Sequence, residues 1–334
     1  MKKNMKGNDI LKGTFLVACG ASSFGMLASF VKLAYAAGYT TAEVTFSQVI
    51  LGLLGIALLN LFKKKKTTDL KENKRDIRNL IIAGTSMGFT SVLYYLSVSF
   101  IDASIAVVLL MQSVWIGVVI ESITTRKIPN LSKIVAVILI LVGTVLATNI
   151  IGAEIKLDPR GIIFGFLASC SFAGTMFTSN SVATHLPALR RSLYMLVGAT
   201  IIVGTFTIVT QVGPNNSEFF MKILQSFSDN TKGIRDFDFS IMYQWGLILA
   251  LFGTIIPPIL LNMGFPYTGI GLGSIIASIE LPVSVSVAYL LLNEQVIALQ
   301  WVGIILILGA IVLINSTLLF KKTSKNLINN TLHT

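Results

Sequence analysis

Ten apolar stretches, each about the length of a membrane crossing, fill this chain almost end to end, and the connections between them are mostly short. They run at about Leu11–Tyr35, Ala42–Phe62, Ile77–Phe100, Ser104–Thr124, Leu131–Asn149, Gly161–Ala183, Leu189–Val212, Met242–Met263, Ile270–Leu292 and Ala298–Phe320. Each can cover the roughly 30 Å hydrocarbon layer as a helix. Helices and closed barrels are the forms that satisfy their backbone polar groups there without water. The expected fold is therefore all-α and integral to a membrane. With 54% hydrophobic and 12% charged residues, the chain lies outside the range of soluble domains of its length.

A net charge of +11 would suggest nucleic acid in a soluble protein. In a membrane protein the placement of the charges matters more than their sum. With the amino terminus in the cytoplasm, twenty of the 26 Lys and Arg fall on that side: Lys2, Lys3, Lys6 and Lys12, the Lys63–Arg78 run, Arg126, Lys127, Lys133, Arg190, Arg191, Lys321, Lys322 and Lys325. The other side holds Lys156, Arg160, Lys222, Lys232 and Arg235. This imbalance predicts both termini in the cytoplasm, in a bacterial cytoplasmic membrane. The Lys63–Arg78 run reads as a solvated anchor near anionic lipid. Cys19 and Cys170 lie in apolar helices, so neither a disulfide framework nor a thiol metal site is expected. The run before Ala34-Tyr35-Ala36 is too long for a signal-peptide core and is interrupted by Lys32, which predicts a retained first helix.

The chain also repeats itself. Residues Ala103–Leu146 lie over Ile270–Leu313 at a constant offset of 167, and KIVAVILILVGTVL (Lys133–Leu146) matches QWVGIILILGAIVL (Gln300–Leu313) at seven of fourteen positions. Near the start the offset is 148, where Gly13, Ser23 and Phe24 meet Gly161, Ser171 and Phe172. One insertion before the eighth crossing absorbs the difference. Five crossings per unit is odd, so the two copies must be inverted, a recurring plan of secondary transporters with a site at the repeat interface. The units expected are residues 11–149, residues 159–320 and a cytoplasmic tail, 321–334. In the long connection at 213–241, Phe220, Ile223, Leu224 and Phe227 fall at helical spacing after Asn215-Asn216-Ser217 and predict a short surface helix.

Glu280 is the main candidate for chemistry. It sits near the bilayer midplane, two residues before Pro282, and a carboxylate there costs on the order of 3 kcal/mol, so it should face protein or a cavity, or be protonated. The bland alternative is a neutral carboxyl group bonded to carbonyls freed by the proline. In the other copy Gln112 and Ser113 align within a residue of Glu280, and Trp115 takes the place of Pro282. Trp115 is too deep for the interfacial belt and is a candidate to stack on an organic substrate, or a packing residue. Lys32, at the outer end of the first helix, either snorkels to water or partners an anion there, with Glu43 or Asp102 as answering charges. Ser22 and Ser23, matched by Cys170 and Ser171, together with Tyr94, Tyr95 and Asn262, are candidates to line a pathway. Small hydroxyls also serve helix packing. Gly84-xxx-Gly88 and Gly161-xxx-Gly165 read as packing motifs. The glycines at 269, 271 and 273 do not fit a dinucleotide fingerprint. His185 and His333 form no metal box, and no catalytic constellation is visible, so neither enzyme chemistry nor a cofactor or metal is expected.

With these residues in view, the chain resembles the EamA family of the drug/metabolite transporter superfamily over nearly its whole length. The likeness rests on SIELPVSVSVAYLLLNEQ (Ser278–Gln295), a proline-containing ninth helix with a Glu at its turn, followed by the glycine-containing tenth. It implies export or exchange of a small metabolite, such as an amino acid or relative, by alternating access around a central cavity lined by the first four helices of each repeat. The first repeat departs from the pattern, with Trp115 for the proline and Lys127 for the turn Glu, and Gln48 stands where relatives carry arginine. The expected partners are a small-molecule substrate and the lipid bilayer, with protons and a second copy of the chain as further candidates and no nucleic acid. A membrane enzyme or lipid-handling scaffold is the competing reading.

Overall fold

The computed structural model describes residues 7–62, 72–101, 103–149, 158–227, 235–293 and 295–331. Nine helices among them are long and apolar enough to cross a membrane. A further apolar helix, Leu131–Ala147, has 17 residues, which is roughly 26 Å of helix and just enough for the hydrocarbon layer. No strand occurs among the described residues. Leu54, Leu58, Phe15, Ile305 and Val312 are exposed, as expected where lipid rather than water is the surrounding solvent.

The first three helices are Gly7–Ala36, Thr41–Phe62 and Lys74–Phe100. The fourth comes in two pieces, Ala103–Leu110 and Ser113–Thr125, and the fifth is Leu131–Ala147. The sixth, Pro159–Ser181, starts on Asp158, whose side chain accepts from the Arg160 N–H at 2.8 Å. The seventh spans Ala188–Asn216 and the eighth Met242–Thr268. The ninth is again in two pieces, Ile270–Ala277 and Glu280–Leu292, and the tenth runs Ala298–Thr331. A surface helix at Glu218–Phe227 fills part of the long connection, where a helix is expected. The side on which the first helix begins is called here the amino-terminal face; the opposite side is the far face.

Four expectations need correcting. The fourth and ninth crossings are not continuous. The eighth does not stop at Met263 but runs through Pro266 to Thr268. The tenth does not stop at Phe320 but stays helical to Thr331, through most of the expected tail. The turn residue Glu294, Asp102, Lys156, Lys232 and residues 63–71 of the basic run lie outside the described residues.

The two breaks fall at Met111-Gln112 and Ser278-Ile279, 167 residues apart. They share a bonding pattern: Gln112 N–H to Leu109 O and Val114 N–H to Met111 O, matched by Ile279 N–H to Ile276 O and Leu281 N–H to Ser278 O, all at 3.1–3.2 Å. Each second piece ends on a left-handed residue, Arg126 and Asn293, both with φ 54. Pro282 does not cause the ninth break, because the fourth breaks at the same place without a proline. As third residue of its piece, Pro282 lacks an N–H that would have had no partner within that helix.

Packing follows the same twofold relation. The third helix packs on the sixth and seventh, while its counterpart, the eighth, packs on the first and second. The fifth and tenth pair with each other, as do the second piece of the fourth and the first piece of the ninth. Close approach depends on glycine at two crossings used below. A Cβ at Gly84 would run into the Met195 backbone, and one at Gly25 into the Glu280 carbonyl oxygen. The main buried cluster joins Val17, Val114, Ile140, Phe265, Ile275 and Ile307, drawn from helices of both halves.

Candidate functional site

A cavity of about 550 Å³ lies between the two repeats. Its lining reaches the far-face ends of the helices at Tyr35, Thr148 and Gln300, and descends to Ser179, Met195 and Asn262 in the half nearer the amino-terminal face. The first four helices of each repeat supply most of the wall; the fifth and tenth contribute only their tips, at Ala147, Thr148 and Gln300.

Of the residues singled out in the sequence, Glu280, Tyr94, Tyr95, Asn262 and Lys32 line this cavity. Glu280 is the first residue of the second piece of the ninth helix, so its carboxylate sits at the positive end of a helix dipole. The close crossing at Gly25 holds the first helix against that point. No described side chain or backbone N–H donates to the Glu280 carboxyl group. Tyr94 and Tyr95 meet edge to face with centroids 5.9 Å apart. The Asn262 amide nitrogen donates to Ser192 Oγ at 2.9 Å, while its Oδ1 is buried with no partner.

The remaining candidates lie outside the lining. Trp115 Nε1 donates to Gln112 Oε1 at 2.9 Å, and Gln112 Nε2 donates to Val108 O at 3.0 Å. The two side chains thus satisfy each other and their own helix, with Trp115 packed on the main core cluster. Ser113 is fully buried and its hydroxyl has no partner. Pro282 is buried, and Ser22 is half-buried. Ser23 donates to Phe252 O at 2.8 Å and Ser171 to Ser86 O at 2.7 Å. The serine stripe therefore ties the first helix to the eighth and the sixth to the third, equivalent pairs in the two halves.

Three features of the site carry weak sequence signals. Gln48 lines the cavity beside Gly253, and its Oε1 is buried without a partner. Gly253 and Thr254 belong to a π-helical turn, Leu251–Ile255, that precedes Pro257-Pro258. Prolines remove the N–H groups that would close normal turns there. Arg191, counted in the sequence among the charges on the cytoplasmic side, is 1% exposed. Its guanidinium donates to the carbonyls of Val182 at 3.1 Å, Asn262 at 2.8 Å, Thr178 at 3.3 Å and Ser179 at 2.5 Å. Three of these lie at the carboxyl end of the sixth helix; among the described residues Ser179 O and Val182 O lack a backbone donor there, and Thr178 O also accepts from the Val182 N–H at 2.9 Å. The fourth, Asn262 O, is the one that Pro266 leaves without its usual donor.

At the repeat offset of 148, Arg191 corresponds to Glu43, which is 0% exposed near the far face. Glu43 accepts from Thr40 N at 2.7 Å, Arg235 Nη2 at 2.7 Å, Gln211 Nε2 at 2.8 Å and Asp238 N at 2.8 Å. Arg235, from the long connection, and not Lys32, therefore answers this carboxylate. The Asp238 carboxyl group, in the same connection, is held below the usual carboxylate range by its bonds to Ser240.

Comparison with curated protein sequences finds no match. A solved protein crystal structure aligns with a TM-score of 0.66 at 11% identity, covering 92% of this chain and 96% of that chain, which supports the fold. The model of the EamA-like transporter family matches twice, over residues 11–149 and 159–316. The paired helix breaks, the crossed packing of the two halves and this double match have one explanation: the chain belongs to the EamA-like transporter family of the drug/metabolite transporter superfamily.

Proposed function

We propose that the protein is a secondary transporter, an exporter or exchanger, of a small metabolite such as an amino acid or related compound, working by alternating access around the central cavity. The observation that carries this reading is Glu280, set at a helix break of the inverted repeat, facing the cavity and receiving no hydrogen bond from the described residues. Tyr94, Tyr95, Gln48 and Asn262 are the further contacts assigned to the substrate. Lys32 stands at the far-face end. Glu280 is also the group assigned to a coupling proton. Both termini are placed in the cytoplasm of a bacterial cell, on the strength of the Lys and Arg imbalance. Gly84 and its packing against the Met195 backbone belong to the frame, with no role assigned in transport.

The test is counterflow and pH-gradient-driven uptake in proteoliposomes, with wild-type protein and Glu280→Gln. We expect the variant to lose at least nine-tenths of the rate and its dependence on the pH gradient. Wild-type rates with unchanged pH dependence would remove Glu280 from the mechanism.

A further inference from the structure

The polar groups in the cavity wall are unevenly matched. Gln48 and Asn262 are 7% and 2% exposed, yet Gln48 Oε1 and Asn262 Oδ1 have no hydrogen-bond partner. The Asn262 amide nitrogen is already used on Ser192 Oγ, with Met195 Sδ at 3.6 Å. Glu280, in the same wall, accepts nothing from the described residues. Among the groups the wall leaves unused are three acceptors, a carboxylate and two amide oxygens. A buried acceptor without a donor is costly, and a ligand that brings donors removes that cost.

The helix ends point the same way. The amino-terminal end of a helix in mid-membrane ordinarily favours an anionic substrate group. At the ninth helix that role is filled from within, because Glu280 is the first residue of the piece and supplies the negative charge itself. The equivalent end in the first repeat begins with Ser113, which is 0% exposed and lies outside the lining. Lys32 lines the cavity seven residues beyond Gly25, roughly 10 Å of helical rise towards the far face, and is itself engaged within the protein. Much of the remaining wall is apolar, with Leu27, Val31, Val107, Leu110 and Phe172 beside the hydroxyls of Tyr94 and Ser284.

We propose that the substrate is recognised as an amphipathic ammonium: a protonated amine seated on Glu280, donor groups that satisfy Gln48 Oε1 and Asn262 Oδ1, and an apolar body against the aliphatic wall. The amine, and not a carboxylate, is the required element. This deepens the transport reading and rests on it for the identity of the site.

The test is binding to the full chain in nanodiscs, with empty nanodiscs as the blank, using three probes that share one apolar body: 3-phenylpropylamine, its N-acetyl derivative and 3-phenylpropionate. We expect the amine to bind at least tenfold more tightly than the other two. Glu280→Gln should weaken it at least tenfold. Propionate binding as tightly as the amine, or Glu280→Gln leaving amine affinity within twofold, overturns the assignment. If Glu280→Gln does not fold, the three probes on the wild-type protein decide the matter alone. Counterflow that does not distinguish amine from carboxylate overturns the assignment but leaves transport standing. Amine selectivity in binding, with no counterflow of any amine, does the reverse.

Discussion

The fourth and ninth helices break at equivalent residues with the same hydrogen-bond pattern, yet the first residues of their second pieces live in different worlds. Ser113 is enclosed by protein with an idle hydroxyl, beside Gln112 and Trp115, which satisfy each other. Glu280 faces a cavity. The backbone device is thus common property of both repeats, and only one copy carries the charge. Duplication supplied the geometry twice; one side chain decides which copy of the break carries a charge.

The largest effect is expected from copying the charge across. Ser113→Glu would place a carboxylate in a fully buried position with no donor, at a cost of roughly 3 kcal/mol. A drop in melting temperature in detergent is the readout, and a variant as stable as the wild type would show that the two environments differ less than their burial suggests. Next comes Gly25→Ala, whose methyl group meets the Glu280 carbonyl oxygen and must push the first helix off the break, costing about 2 kcal/mol. Unchanged melting would mean that this crossing is loose.

Glu280→Ser makes the two copies alike. Transport should fall more than tenfold while stability changes by under about 1 kcal/mol, because no partner in the described protein is lost. Retained transport would place the function elsewhere in the wall. Pro282→Ala should cost only about 0.5 kcal/mol, since the break persists in the other copy without proline. A loss above about 2 kcal/mol would return the cause of the break to Pro282. Ser113→Ala should be the mildest, within about 0.5 kcal/mol of wild type by thermal unfolding, because its hydroxyl bonds to nothing.

The ten crossings were legible because hydrocarbon demands length and apolarity together, and the pairing of Ser113 with Glu280 was legible from the offset of 167. The breaks were not. The proline near Glu280 drew attention to the ninth helix, while Met111 and Gln112, with neither proline nor glycine beside them, carry no local sign of interruption. The serine stripe was visible as polarity, but only the structure shows that Ser23 and Ser171 spend it on neighbouring backbone carbonyls. Arg191 was masked by its neighbour, since two arginines in a turn satisfy the charge rule for membrane surfaces equally well. Its one available clue lay far along the chain, where Pro266 leaves the Asn262 carbonyl in need of a donor. Gln48 stood out only as a departure from a family habit, without a reason attached.

The Arg191 guanidinium fastens the end of the sixth helix to the stretch of the eighth before Pro266 through four backbone oxygens and, among the described residues, no acidic side chain. Such a rivet grips main chain, which no substitution at the gripped positions can delete. Its short, planar, five-donor fork has no equivalent in lysine. On the proposed alternating-access reading, those two helix segments swing together, as one rigid lever.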